Sequence, residues 1–301
     1  MVPSPFTLPS FAKINWTLRI LGKRDDGFHE LCTVFQTVSL CDYISFAAAD
    51  ELTLTCDDPS IQTDDDNLII KGAKCLLDAS GINRGARIHL EKKIPSPGGL
   101  GGGSSNAAVA LLGLKRLWEL HQIDGHQLEV IASAIGSDVP FFLCGGTAIG
   151  TGRGQLIEEM PDVLAGDMLI VTPKVAVPTG QAFAAIQAPA LTKSDAESIL
   201  TVCRNEARSF DPGQSALIND FEASVFSSYP EIKRVKDRLL ELGAVNAAMS
   251  GSGASVFAIF DKTETRQTAE KALDRESTWR KFAVSTVSRA KYRESLHLSG
   301  A

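Results

Sequence analysis

The sequence lacks the features that would place the protein on a nucleic acid or in a membrane. It has no basic excess, since 36 acidic residues outnumber 30 lysines and arginines and leave a net charge of −6. A nucleic-acid partner requires basic residues that neutralise its phosphates. No apolar run reaches the ~18–20 residues of a membrane-spanning helix, and Met1 to Ser10 has no basic region followed by an apolar stretch. We therefore predict a cytoplasmic protein with no nucleic-acid partner and no membrane association.

The six cysteines lack the spacing of a metal site or a disulfide framework. No Cys-x-x-Cys pair occurs, and most of the cysteines lie within apolar runs. Buried, reduced thiols in the cytoplasm fit this distribution better than paired or metal-bound ones. The six are Cys32, Cys41, Cys56, Cys75, Cys144 and Cys203.

A length of 301 residues allows two domains. Strand and helix patterns follow one another without strict alternation, so the predicted fold class is α+β. The glycine-rich stretch 145–154 is a candidate border, and we predict an N-terminal domain over residues 1–160 and a C-terminal domain over 161–301. The predicted strands cover 11–21, 32–38, 43–55, 86–90, 255–260 and 282–288, and the predicted helices cover 67–79, 105–120, 127–135, 230–242 and 263–276.

The first strand carries a lysine in an apolar setting. Ile14, Trp16 and Leu18 alternate with polar residues, and Lys13 and Asn15 share the polar face. Such a lysine can extend its ammonium to solvent. Alternatively, it offers a point charge beside a reacting oxygen.

The segment PSPGGLGGGSSNA at 95–107 predicts a phosphate-binding loop. Five of the six residues from Gly98 to Gly103 are glycine, and Ser104 and Ser105 lead into an apolar helix. Glycine lets backbone amides approach an anion closely, and a helix start adds unpaired N–H groups. No Gly-Lys-Ser/Thr follows, so this is not a Walker A loop. The alternative is a flexible linker, but Pro95 and the apolar helix confine both of its sides.

Two further segments are candidates for the same site. Asp138, in GSDVPFF at 136–142, precedes a proline that favours the first turn of a helix, so the residue is either an N-cap or a carboxylate that accepts a proton. The segment MSGSGAS at 249–255 is a second glycine-rich loop. By itself it is either a simple turn before a strand or a second grip on a polyphosphate.

Together these segments resemble the GHMP kinases, named for galactokinase, homoserine kinase, mevalonate kinase and phosphomevalonate kinase. The resemblance rests on the lysine-bearing first strand, PxxxGLGGGSSNA and MSGSGAS. It implies an N-terminal domain like ribosomal protein S5 domain 2 and a ferredoxin-like C-terminal domain. It also implies ATP and Mg²⁺ as cofactors, with metal ligands that the sequence does not identify.

Residues 12–31, 136–142 and 219–232 are similar to one branch of this family, which phosphorylates a cytidine diphosphate-linked methylerythritol of the non-mevalonate route to isoprenoid precursors. That resemblance implies the roles of individual residues. Lys13 and Asp138 are the expected catalytic pair. The expected ATP-binding residues are Pro97, Gly98, Gly99, Leu100, Gly101, Gly102, Gly103, Ser104, Ser105 and Asn106, with Asn67 and Lys92 near the adenine. The expected substrate-binding residues are Asn15, Phe28, His29, Thr179 and Phe183, with the aromatic rings around the cytosine.

The sequence departs from the branch at Phe28, which stands where a tyrosine is usual and which can still stack on a base. Two other functions stay open. One is a GHMP kinase of the homoserine or mevalonate type, although the GFHEL segment at 27–31 argues against it. The other is a catalytically inactive sensor of nucleotide or sugar, although both Lys13 and Asp138 are present. We expect a monomer or a weak homodimer.

Overall fold

The computed structural model of the chain describes residues 4–186, 188, 193–212 and 215–298. The strands are β1 (Phe6–Lys23), β2 (His29–Ala49), β3 (Leu52–Cys56), β4 (Gly85–Glu91), β5 (Thr147–Gly152), β6 (Leu156–Glu159), β7 (Met168–Pro173), β8 (Ile218–Asn219), β9 (Asn246–Met249), β10 (Val256–Ile259) and β11 (Trp279–Val284). The helices are α1 (Leu68–Ser80), α2 (Gly102–Leu117), α3 (Gly125–Ile135), α4 (Phe141–Cys144), α5 (Thr179–Ala184), α6 (Lys193–Arg208), α7 (Glu222–Ser228), α8 (Pro230–Glu241), α9 (Thr263–Ala272) and α10 (Arg289–Ser295), with a 3₁₀ turn at Leu273–Arg275.

The larger sheet is built around the long antiparallel pair β1 and β2. Its order is β3-β4-β2-β1-β8, and β5 pairs with the first half of β2 and carries β6 on its other edge. β3 and β4 are parallel and are joined by α1, whereas β2 pairs with β4 in the antiparallel sense. The predicted first strand is confirmed and is longer than expected. Apolar side chains of α1, α2 and α3 form a core with this sheet.

The prediction of separate strands at 32–38 and 43–55 is wrong in its break point. One continuous strand, β2, runs through this region, and the chain turns only before β3. The predicted break coincides with an irregularity in the pairing, because Phe11 pairs with Cys41 while Ala12 pairs with Val38. The two extra residues of β2 bulge away from β1. The amide of Ser39 there donates to the carbonyl of Ser285 at 2.9 Å, so the bulge receives the C-terminal part of the chain.

The smaller sheet has the order β11-β7-β10-β9, and each neighbouring pair is antiparallel. With α5, α6, β8 and α7 inserted after β7, the elements of this sheet and its helices follow one another as β7, α8, β9, β10, α9 and β11. This is the β-α-β-β-α-β arrangement of a ferredoxin-like domain. α8 buries Ile232, Val235 and Leu239 against this sheet, as its helical spacing predicts. The α+β class and the ferredoxin-like C-terminal part are thereby confirmed.

The last helix returns to the larger sheet. Tyr292 of α10 is fully buried in the core of that sheet, and its hydroxyl donates to the carbonyl of Phe142 at 2.6 Å. Its ring lies 5.6 Å from that of Phe11. The border that we predicted between residues 160 and 161 stays a prediction. No helix among the described residues is long and apolar enough to cross a membrane.

Candidate active site

A cleft of about 810 Å³ lies between the glycine loop that precedes α2 and the loop between β9 and β10. The predicted residues that line it are Lys13, Asn15, Phe28, His29, Pro97, Gly98, Gly99, Leu100, Gly101, Gly102, Gly103, Ser104, Asp138, Thr179 and Phe183. Asn67, Lys92 and Asn106 line a smaller neighbouring cavity of about 360 Å³ instead, which shares Leu68, Ser96 and Gly103 with the cleft. The structure therefore brings the sequence candidates together in two adjoining spaces.

The helix after the glycine loop begins earlier than we predicted. We expected it at Ser105, but α2 begins at Gly102 and its N-cap is Gly101 in a left-handed conformation, with φ at +68°. The first amides of a helix have no partner within it. Those of Gly102, Gly103 and Ser104 are therefore available at the wall of the cleft, whereas the amide of Ser105 already donates to Gly101 at 2.8 Å. The unpaired amides and the positive end of the helix suit an anion.

The two serines of the loop, both expected at the ATP site, point in different directions. Ser104 lines the cleft. Ser105 is fully buried, and its hydroxyl accepts a hydrogen bond from Ser10 at 2.8 Å. Ser105 lies on the face of α2 that packs against β1, so its side chain stabilises the interior. Of the two serines, Ser104 is the one that lines the cleft.

The second glycine loop packs directly on the first. Gly99 has φ at +72°, and a Cβ there would overlap the carbonyl oxygen of Ser250. The Ser250 hydroxyl donates to the carbonyl of Gly99 at 2.9 Å, and the Ser255 amide donates to that of Gly98 at 3.1 Å. The smaller sheet therefore fixes the shape of the loop that begins on the larger one. Gly251 and Ser252 also line the cleft, so both loops reach it.

A buried ionic network holds the helix side of the glycine loop. Asp42, fully buried at 0% exposure, accepts hydrogen bonds from Lys92 Nζ at 2.6 Å, from Asn106 Nδ2 at 2.9 Å and from the amides of Lys93 and Ile94. The sequence interpretation missed Asp42. Lys92, expected near the adenine, lines the smaller cavity but has its ammonium bound by Asp42 and by the carbonyl of Ile94.

Asn67 also lines the smaller cavity, and its side chain is already engaged. It is the N-cap of α1, accepting from the amide of Ile69 at 2.9 Å, and it donates to the carbonyl of Gln62 at 2.6 Å. Its polar atoms therefore fix the rim of the cavity.

Lys13 and Asp138 face one another in the cleft. Lys13 Nζ lies 3.5 Å from Asp138 Oδ2, and the side chains are 3% and 33% exposed. Burial lowers the pKa of the Lys13 ammonium below its ordinary value, and the Asp138 carboxylate offsets part of this effect. Asp138 is not a helix cap, since α4 begins at Phe141 and its N-cap, Pro140, makes no capping side-chain bond. Its carboxylate is left to the cleft and to Lys13.

Asn15 positions Lys13 and joins it to the second glycine loop. Its Oδ1 accepts from Lys13 Nζ at 2.6 Å and from the amide of Gly251 at 2.9 Å. Its Nδ2 donates to Thr33 Oγ1 at 2.7 Å, and Thr33 in turn donates to the carbonyl of Thr17. Because the Lys13 ammonium and the Gly251 backbone amide can only donate, the oxygen of the Asn15 side chain must face them, and this fixes its orientation.

The other end of the cleft is aromatic. The rings of His29 and Phe183 stack with centroids 5.2 Å apart, and Phe183 also meets Phe221 edge to face at 4.8 Å. Burial and the charge of Lys23 lower the pKa of His29. His29 and Phe183 contact each other, so a base cannot lie between these two rings as they stand. Phe28, 51% exposed, offers the open ring face of the predicted clamp.

Arg153 is a cleft residue that the sequence interpretation missed. It lies between two glycines in the stretch that we took only as a candidate border, and its guanidinium covers the Phe28 ring at 4.5 Å from the centroid. The sequence signal that could have indicated this residue is one basic side chain between two glycines. Thr179, as predicted, reaches the cleft, where its hydroxyl lies 3.1 Å from that of Ser252.

Comparisons with known proteins agree with this geometry. The model described as "GHMP kinases N terminal domain" matches residues 67–146, and that described as "GHMP kinases C terminal" matches residues 187–277. The chain belongs to the GHMP kinase family. The family and the fold that the sequence predicted are thus confirmed.

Individual GHMP kinases are similar over most of the chain. A protein from Chlorobium phaeobacteroides (strain BS1), named 4-diphosphocytidyl-2-C-methyl-D-erythritol kinase, is 40% identical over 88% of this chain and 92% of its own length. One of the same name from Solibacter usitatus (strain Ellin6076) is 40% identical over 95% of this chain and 90% of its own.

Among solved structures, a 4-(cytidine 5'-diphospho)-2C-methyl-D-erythritol kinase superposes with a TM-score of 0.75 at 31% identity, covering 93% of this chain and 99% of that one. A homoserine kinase from Cytophaga hutchinsonii ATCC 33406 superposes with a TM-score of 0.73 at 21% identity, covering 96% of each chain. At that identity the homoserine kinase shows the shared fold alone.

Proposed function

We propose that the protein transfers the γ-phosphate of ATP to the 2-hydroxyl of 4-diphosphocytidyl-2-C-methyl-D-erythritol. The observation that carries the proposal is the Lys13–Asp138 pair, which lies in one cleft with the amide-rich glycine loop and with Phe28 and His29. The relatives that bear this activity in their names match 88% and 95% of the chain. They support this acceptor over homoserine or mevalonate.

The glycine loop is the proposed site of the triphosphate. The free amides of Gly102, Gly103 and Ser104 would bind the anionic oxygens at the start of α2. Pro97, Gly98, Leu100 and Asn106 belong to this site as the frame of the loop. The smaller cavity beside it, rimmed by Asn67 and Lys92, would receive the adenine.

Asp138 is the proposed proton acceptor. The attacking alcohol gives its proton to the Asp138 carboxylate as the new oxygen–phosphorus bond forms. The bond between the γ-phosphorus and the β,γ-bridging oxygen breaks, and ADP leaves. Lys13 would stabilise the negative charge that develops on the transferred group, and Asn15 holds its ammonium in place. Phe28, His29, Thr179 and Phe183 would hold the remote cytidine part and so align the alcohol.

Mg²⁺ is also a proposal, and the residues present fit it. The described residues contain no group of three or more His, Cys, Asp or Glu that could hold a metal ion. Mg²⁺ bound to a nucleotide commonly keeps waters and takes only one or two protein oxygens. The Ser104 hydroxyl, which lines the cleft beside the free amides, would supply such a ligand. The ion would neutralise charge on the phosphates.

An ADP-release assay with three alcohols tests the proposal. We expect ATP-dependent turnover with 4-diphosphocytidyl-2-C-methyl-D-erythritol and background rates with mevalonate and homoserine. Faster turnover with either control alcohol would reject this acceptor. ATP and cytidine binding with no turnover of any of the three would favour a sensor. The cytoplasmic location, the absence of nucleic-acid and membrane partners, and the monomeric or weakly dimeric state stay predictions.

A further inference from the structure

The turn that carries Arg153 is fixed to the segment that carries Phe28 and His29. Glu30, the residue after His29, accepts a hydrogen bond from the amide of Gly152 at 2.8 Å through one carboxylate oxygen. Its other oxygen accepts from Arg24 at 2.6 Å. Gly152 and Gly154 both have positive φ, at +70° and +104°, so the turn between β5 and β6 is tight. Arg153 therefore has a defined place at the aromatic end of the cleft.

The charged end of Arg153 is open for a ligand. Among the described residues, its guanidinium has neither an ion-pair nor a hydrogen-bond partner; it lies over the Phe28 ring, and the Asp26 carboxylate interacts with it only electrostatically. A guanidinium that stacks on a ring keeps its five N–H donors at its edge, where they can bind two oxygens at once. The neighbouring Arg24 differs, because Asp26 and Glu30 already occupy its donors.

The charges along the cleft indicate what this donor set would bind. Among the described residues that line the cleft, three carry cationic side chains, namely Lys13, Lys23 and Arg153, and one carries a carboxylate, Asp138. Lys13 is engaged by Asn15 and Asp138. Lys23 and Arg153 lie instead at the aromatic end, away from the backbone amides that suit a triphosphate. An acceptor with two phosphates next to a base presents negative charge at this end.

We propose that Arg153 binds the diphosphate of a nucleoside diphosphate-linked acceptor while it stacks on Phe28, so that one residue pair contacts both the base and its phosphates. This inference rests on the proposed function and adds a specificity-determining residue to it. Arg153 acts in binding the acceptor. The turn also lies close to the proposed proton acceptor, since a Cβ on Gly154 would lie 3.8 Å from Asp138 Oδ1. A role of Arg153 in the transfer step is therefore the competing explanation.

Calorimetric binding of cytidine and of cytidine diphosphate tests the proposal. Both are titrated into the enzyme in the presence of Mg²⁺ and a saturating non-hydrolysable ATP analogue, which fills the ATP site. We expect Arg153→Gln to weaken the binding of cytidine diphosphate by roughly 10- to 100-fold, the range of a charge-assisted contact. The affinity for cytidine should stay unchanged. Equal weakening of both ligands would mean that Arg153 only supports the Phe28 ring, and no change in either would mean no role. Both results overturn the proposal.

Steady-state kinetics separate binding from the transfer step. In Arg153→Gln we expect the KM for the cytidine diphosphate-linked acceptor to rise by the same factor, with kcat unchanged. A fall in kcat at unchanged KM would assign Arg153 to the transferred phosphate and overturn the proposal. Arg87→Gln, on an exposed position of β4, is the matched control and should change neither constant.

Failure of this inference and failure of the proposed function give different results. If the unmodified enzyme binds neither cytidine nor cytidine diphosphate, the proposed acceptor is wrong. If it binds both and Arg153→Gln leaves the ratio of the two dissociation constants unchanged, only the assignment of Arg153 is wrong. Arg153→Lys, which keeps the charge without the planar fork, should recover part of the lost affinity for the diphosphate.

Discussion

At the glycine-loop end of the cleft the groups that face the cavity belong mainly to the backbone, whereas at the aromatic end they belong to side chains. The loop amides are held by a second loop and by the buried Asp42 network. Phe28 and Arg153 are supported mainly by one another and by the turn at Gly152. The glycine-loop end thus depends on the fold of both sheets. At the aromatic end, the half-exposed Phe28 and the Arg153 that covers it lie outside the core and can change without disturbing it.

The largest expected effect is on the buried Asp42 network that supports the glycine-loop end. Asp42→Asn leaves the Lys92 ammonium, 4% exposed, without its ionic partner. Breaking such a pair commonly costs about 3–5 kcal/mol, so we expect a loss of that size in the free energy of unfolding, with a higher KM for ATP. Chemical denaturation measures the first and steady-state kinetics the second.

Asp66→Asn is the control for this change, because the Asp66–Lys71 pair is 81% and 46% exposed. An exposed pair contributes little, so its free energy of unfolding should change by less than about 1 kcal/mol. Equal losses in the two variants would remove the distinction between a buried framework and a solvated surface.

The next largest effect is expected at the contact between the two glycine loops. In Gly99→Ala the new Cβ meets the carbonyl of Ser250 at a positive φ, so we expect about 2–3 kcal/mol of destabilisation and a raised KM for ATP. Gly81→Ala has a similar φ of +67° but nothing within 4 Å of the new Cβ. It should cost about 1–2 kcal/mol and leave the KM for ATP unchanged. If Gly99→Ala behaves like Gly81→Ala, the loops do not shape one another.

A change at the aromatic end should affect binding and not stability. Phe28→Ala removes a half-exposed ring, and base–aromatic stacking contributes about 1–3 kcal/mol. We expect the KM for the acceptor to rise roughly 5- to 100-fold with an unchanged melting temperature. Phe28→Tyr keeps the ring and should retain a KM close to the original. A marked loss of thermal stability in Phe28→Ala would show that this end, too, belongs to the core.

The smallest expected effect is a shift in the titration of Lys13, measured in the unmodified enzyme. Since burial lowers the pKa of Lys13, its ammonium should lose its proton at a lower pH than the ordinary value of 10.5. Carbon-13 NMR of the lysine ε-carbons follows this, with Lys13→Met to assign the resonance. Below the lowered pKa the ammonium is charged, and above it the charge is lost. Titration at 10.5 or higher would contradict the effect of burial.

The sequence predicted those parts of the site that depend on local pattern. The alternation around Lys13 gave the strand, and the glycine run before an apolar helix gave the anion-binding loop. The segment GSDVPFF gave Asp138 as a candidate proton acceptor, and the resemblance added its expected catalytic role and the aromatic residues. Each of these predictions uses residues within one short segment or a motif that a family shares.

The remaining features depend on contacts between distant parts of the chain. Asp42 joins Lys92 and Asn106, which are 50 and 64 residues away, and no local pattern marks it. The inward direction of Ser105 depends on Ser10. The stacking of His29 on Phe183 depends on how the two sheets meet. The place of the turn at Arg153 depends on Glu30 and Phe28, which are far from it in the sequence.

The most direct test is single-turnover phosphoryl transfer by Asp138→Asn, with both ATP and the cytidine diphosphate-linked acceptor bound. If Asp138 accepts the proton where the two ends meet, the rate should fall by roughly 10²–10⁴, while the dissociation constants of ATP and of cytidine diphosphate stay unchanged. A rate near that of the unmodified enzyme, in a folded variant that binds both ligands, would contradict this account.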